Sequence, residues 1–161
     1  MTTPPSTPPA NSLHAMLNAV ARQAREAGVF ASVDVRLSGP TQGVVCEAKG
    51  SAAPAHYRLT LEGDRLYVEF TTPDRWLSHS IEADLLNTGD KLEDLIDEEI
   101  VELGGTPLHA KVEHFRNEEK LFVFRSPLPP GNARAEAAAR ILLAYEACFQ
   151  RLGDVGAETD E

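Results

Sequence analysis

The sequence predicts an α+β domain, an antiparallel β-sheet with N-terminal, middle and C-terminal helices packed on one face, and three observations lead there. The first is a hairpin whose register is written into its side chains, His56 to Thr71, HYRLTLEGDRLYVEFT. Gly63-Asp64 supplies a two-residue turn with glycine first, the type II′ chemistry that matches strand twist. With Glu62 opposite Arg65, the pairs Leu61 with Leu66, Leu59 with Val68 and Tyr57 with Phe70 are all apolar. On the other side Arg58 meets Glu69 and Thr60 meets Tyr67, so one face is dry and the other wet. The second observation is alternation at Val33, Val35 and Leu37 and again at Val44, Cys46 and Ala48, on either side of the loop SGPTQG. These two strands, joined to the hairpin through Gly50 to Pro54, make a four-stranded meander. The third is helical periodicity at both ends of the chain. Leu13, Met16, Leu17, Val20, Ala21 and Ala24 follow a cap at Asn11 or Ser12 and stop at Gly28. Ala138, Ile141, Leu142, Tyr145, Cys148, Phe149 and Leu152 follow a cap at Asn132 and stop at Gly153.

Between these parts lie two shorter helices and a second hairpin. Thr72-Pro73-Asp74 reads as a helix start with a capping hydroxyl and proline in the first turn. Leu77, Ile81 and Leu85 then share a face, although Leu77, His79, Ile81, Ala83 and Leu85 also alternate as a strand would; helix is preferred over 73–87. Asp90 to Leu103 is a clearer helix, with Leu92, Leu95, Ile96, Ile100 and Leu103 on one stripe, ended by Gly104-Gly105 and Pro107. Leu108 to Ser126 forms a hairpin turning near Asn117. A two-residue loop pairs Val112 with Val123, and a three-residue loop pairs it with Phe124. Leu121-Phe122-Val123-Phe124 is apolar on both faces, which calls for cover on both sides, one cover being a second subunit.

Composition narrows the function. One domain, residues 12–152, is expected between a Pro-, Thr- and Ser-rich tail, 1–11, and an acidic tail, 153–161. The 25 acidic against 15 basic side chains give a net charge of -10, which repels phosphate backbones and anionic headgroups. Nucleic acid and membrane are therefore not expected as partners. Two cysteines, outside any CxxC pair, and a start with neither a basic region nor an apolar run point to the cytoplasm.

The search for chemistry returns no catalytic group. His79 between Ser78 and Ser80 forms no nucleophile motif, and His109 and His114 point to opposite faces of a strand. Gly104-Gly105 follows a helix instead of preceding one, the wrong polarity for a phosphate loop. The second middle helix carries Asp90, Glu93, Asp94, Asp97, Glu98, Glu99 and Glu102 against Lys91 alone. This run admits a solvated face, an acidic landing surface for a basic partner segment at Asp94, Asp97, Glu98 and Glu102, or a divalent metal at Asp94, Asp97 and Glu98. The metal ranks last because no histidine sits three residues on, so neither metal nor cofactor is assigned. Trp76, Phe122 and Phe124 are the interface or core candidates, with a core anchor ahead of an exposed interface for Trp76.

The stretch LFVFRSPLPPGNARAEAAARILLAYEACFQRLG, a strand, a Ser-Pro-Leu-Pro turn and a helix, resembles the closing elements of the type III secretion chaperone-like fold. That fold includes the class I secretion chaperones and the bacterial YbjN family, described as sensory transduction regulators. The order of elements from Leu13 to Leu152 is similar to theirs, with an extra strand before the middle helices and two helices in place of one. The resemblance implies a non-enzymatic, commonly dimeric protein with no catalytic residues to carry over. The expected function is a chaperone-like or regulatory module that binds a segment of another protein along a sheet edge or an apolar groove. The alternative is a small-molecule-binding or enzymatic domain with a pocket between helices and sheet.

Overall fold

The computed structural model describes residues 9–37, 42–49, 54–62, 65–128 and 135–152, without the side chains of 9–13. Its elements are α1 (Pro9–Ala27), β1 (Phe30–Arg36), β2 (Gly43–Ala48), β3 (His56–Glu62), β4 (Arg65–Thr72), α2 (Arg75–Thr88), α3 (Leu92–Glu102), β5 (Glu113–Arg116), β6 (Phe122–Pro127) and α4 (Ala135–Phe149). The six strands form one sheet in the order β1-β2-β3-β4-β6-β5, and every neighbouring pair is antiparallel. The α+β class, with helices on one face, is as the sequence predicts.

The β3–β4 register matches the expected pairs from Glu62↔Arg65 to Tyr57↔Phe70. Because side chains alternate across a strand, that one hairpin orients the whole sheet. A row of directly opposed residues runs Val33, Cys46, Tyr57, Phe70, Phe124, His114, and the next runs Val35, Val44, Leu59, Val68, Ser126. The central members of both rows are buried. α4 lies over them: Phe149 stacks on Phe70 at 4.6 Å between ring centroids, and Tyr145 Oη and Ser126 Oγ are 2.6 Å apart. α1 covers β1 and β2 and packs on α4 through Leu17, Val20, Ala21 and Ala24, while α3 packs on the other flank of α4 through Leu92, Ile96 and Ile100. Each fully buried side chain of this kind contributes roughly 1.5–3 kcal/mol, so this floor and its helical roof dominate stability.

The opposite face carries a charge ladder. Glu113, Arg125, Glu69 and Arg58 are consecutive partners across β5, β6, β4 and β3. Arg125 bonds Glu62 and Glu113, both at 2.8 Å, and its guanidinium lies 4.0 Å from the Tyr67 ring centroid. Burial pushes the Glu69 carboxyl up, and Arg58 and Arg125 hold it back.

Several local expectations are corrected. α1 begins at Pro9, so Asn11 and Ser12 lie inside the helix and not at its cap. The cap of α2 is Asp74, whose side chain accepts from Leu77 N–H at 2.9 Å, while Thr72 Oγ1 accepts from Asp74 N–H one step earlier. Leu103 is 43 % exposed, because α3 ends at Glu102 and the chain turns away. The second hairpin adopts neither anticipated register: Arg116 pairs with Phe122 and His114 with Phe124. The connection is wider because Asn117 organises it, its backbone N–H donating to Leu121 O and its Oδ1 accepting from Glu119 and Leu121 N–H. β6 has β4 and β5 on its two sides, and Val123, on the face away from the helices, is 1 % exposed within the single chain. A second subunit is thus not needed to cover it. His109 precedes β5 instead of lying on it, with a positive φ of 52°. The Gly63-Asp64 turn, the loop at 38–41, the Asn132 cap and both expected tails, up to residue 8 and from 153, lie outside the described residues.

Candidate functional site

The acidic run reaches the surface because Leu92, Ile96 and Ile100, spaced by four, turn one face of α3 onto α4. Asp94, Glu98 and Glu102, also spaced by four, form an exposed stripe on another face. Like charges at that spacing repel by about 0.2–0.5 kcal/mol per pair, and Glu102 additionally opposes the helix dipole at its C-terminal end. The stripe borders a broad concavity of about 910 Å³, lined also by Asp97, Glu99, Val101, Pro107, His109 and Arg151. Val101 is 53 % exposed there, an apolar side chain among carboxylates. Glu99 pairs with Arg151, and Glu146, nearby on α4, has its carboxyl pushed up by burial and then by the Glu99 charge.

Asp97 does different work from the other three. Its Oδ1 accepts from Leu108 N–H at 2.9 Å and its Oδ2 from His109 N–H at 3.2 Å. One turn earlier, Glu93 Oε2 accepts from Val112 N–H at 2.9 Å. Residues 105–112 have no strand partner, so their amides need other acceptors, and these two side chains supply them for Leu108, His109 and Val112. Asp97 is therefore a brace between α3 and the segment leading to β5, and of the four acidic residues expected at a landing surface Asp94, Glu98 and Glu102 are the exposed ones.

The aromatic candidates separate. Phe124 is core, 2 % exposed, stacked on His114 at 3.8 Å and 5.3 Å from Phe149. Phe122 is half-buried with the Arg116 guanidinium over its ring. Trp76 is 77 % exposed, with the His79 ring edge-on at 6.1 Å, which overturns the core-anchor reading. Leu77, Ser78 and Ile81 form the buried face of α2, and Trp76 lies a quarter-turn or more away from it. Both thiols are core groups: burial pushes Cys46 and Cys148 each up to about 12, far from the thiolate range.

Two features escaped sequence reasoning. One is the Arg125 ladder, for which only the Arg58–Glu69 pair was a signal. The other is a cavity of about 340 Å³ between the end of α3, residues 105–108 and the first turns of α4. Among the described residues no helix is long and apolar enough to cross a membrane, and no group of three His, Cys, Asp or Glu is placed to hold a metal ion. No family model, curated protein or solved structure matches the chain.

Proposed function

We propose that this chain is a non-enzymatic interaction module, chaperone-like or regulatory, cytoplasmic and homodimeric, that holds a basic, partly apolar segment of another protein. The observation that carries the reading is the Asp94, Glu98, Glu102 stripe at the edge of a 910 Å³ concavity with Val101 exposed inside it. Three like charges in mutual repulsion are relieved when lysines or arginines of a partner approach, and complementarity of this kind sets association rate and specificity. The resemblance of the closing strand and helix to the secretion chaperone-like fold and the YbjN family agrees with such a role.

The test is capture by the tagged protein from its native cytosol at low salt, beside the triple variant Asp94→Asn, Glu98→Gln, Glu102→Gln, which leaves the Asp97 and Glu93 braces in place. A partner present with the native chain and absent with the variant is the expected outcome. Equal recovery with both proteins removes the acidic surface from the function, and recovery of the chain alone from both overturns the interaction reading. A small-molecule role is favoured by a different feature, the cavity beside α4.

A further inference from the structure

The 340 Å³ cavity is walled by buried apolar groups, among them Ile100, Leu128, Ala138 and Ile141, while Thr106 at its rim is exposed. Its size falls at the lower end of the range of small-molecule sites, roughly 300–1,000 Å³. Among the described residues no carboxylate lines it; the acids of α3 line the other concavity, and Pro107 borders both. Among the described residues the single charged group on its wall is Arg140, and no acidic side chain pairs with that guanidinium. A guanidinium is charged at every physiological pH, so a lone one beside apolar walls in a chain of net charge -10 selects for an anion at that spot. Its position is set by Gly105: a Cβ there would come within 2.5 Å of Arg140 Cδ and 2.8 Å of Ile100 Cγ2. The missing side chain lets the arginine stem lie against the backbone at the cavity edge.

We propose that this cavity binds a free apolar carboxylate, an alkanoate whose chain lies among Ile100, Leu128 and Ile141 and whose head group is held by Arg140. The site is separate from the acidic stripe and does not depend on the interaction reading. Charge complementarity names the occupant: a neutral apolar ligand would leave the guanidinium without its partner, and a cation would be repelled.

The experiment uses the full chain with methyl-labelled Ile and Leu, titrated with decanoate and in parallel with decanol. Decanoate is expected to shift the methyl resonances of Ile100, Ile141 and Leu128 and to bind about tenfold or more tightly than decanol, the discrimination one charge-assisted hydrogen bond supplies. Arg140→Gln should abolish that preference while leaving decanol binding unchanged, and Gly105→Ala should reproduce the loss by displacing the arginine. The dispersion of the methyl spectrum reports that each variant is folded. Absence of shifts at the three cavity methyls overturns the proposal, as does equal binding of decanoate and decanol, or undiminished decanoate binding in either variant. N-acetyl-Ala-Leu-Leu with a free carboxylate is the remaining arm. Tighter binding of that peptide than of decanoate overturns the assignment to a free alkanoate and gives the cavity to a protein chain terminus.

Discussion

Replacing Asp97 by alanine should destabilise the domain, although the residue sits in a run of acids that composition reads as solvent-facing. The side chain is 15 % exposed and accepts two backbone N–H groups, one part-buried at 2.9 Å and one exposed at 3.2 Å. Hydrogen bonds to a charged group contribute about 1.5–3 kcal/mol each. Only the Leu108 bond counts fully, and the exposed one is screened, so the expected loss is about 2 kcal/mol. Asp97→Asn keeps one acceptor oxygen and should lose about half as much. For a domain of this size that corresponds to a fall in Tm of about 4–8 °C for the alanine variant. Urea denaturation of Asp97→Ala, Asp97→Asn and Glu98→Ala, with amide exchange at Leu108 and His109, is the assay. Glu98 is exposed and, among the described residues, no backbone N–H donates to it, so its variant should be no less stable than the parent and slightly more stable through the two repulsive pairs it removes. An Asp97→Ala protein within 0.5 kcal/mol of the parent, or equal destabilisation by Glu98→Ala, would refute the brace.

Three further outcomes follow from the same structure. Tyr145→Phe leaves Ser126 Oγ buried without a partner and should cost about 1–3 kcal/mol in urea unfolding, with Ser126→Ala recovering part of it in the double variant. Glu69 has its carboxyl raised from 4.5, chiefly by burial, so the native state holds that proton more tightly than the unfolded chain. This contribution is present at low pH and lost as pH rises above 4.5 through the native value; Glu69→Gln should therefore gain stability relative to the parent over that rise, read from urea midpoints against pH. With both thiols pushed up to about 12, Cys46 and Cys148 should resist Ellman's reagent at pH 8 until denaturant is added, and prompt labelling of the native protein would contradict their burial.

What the sequence revealed was local. The β3–β4 hairpin was legible to the residue because turn chemistry, cross-strand charges and alternation all specify one register. α2 was legible as a helix from Leu77 and Ile81, but its cap was not, because Thr72 and Asp74 both carry suitable oxygens and only geometry decides between them. Trp76 was misplaced because hydrophobicity argues for burial, whereas Leu77, Ser78 and Ile81 fix which face of α2 is inward. The β5–β6 register depended on the side-chain bonds of Asn117, which turn-length rules do not anticipate. The distinct role of Asp97 was invisible because a charge count cannot show that residues 105–112 lack ladder partners. The cavity beside α4 joins residues 100–108 to Leu128 and residues 137–141, and nothing in either stretch alone announces the other.

The roof of the sheet is finished by the last helix. Tyr57, Phe70 and Phe124 lie in one row across the floor, and Phe149, which stacks on Phe70, belongs to α4. During synthesis at about 5–20 residues per second, the β3–β4 hairpin is complete roughly 3–13 s before α4 begins. Throughout that interval the nascent chain displays an aromatic strip with no cover of its own. The domain therefore matures only after α4 is released, and a ribosome that stalls before α4 is complete leaves an adhesive sheet, not a smaller working version of the domain.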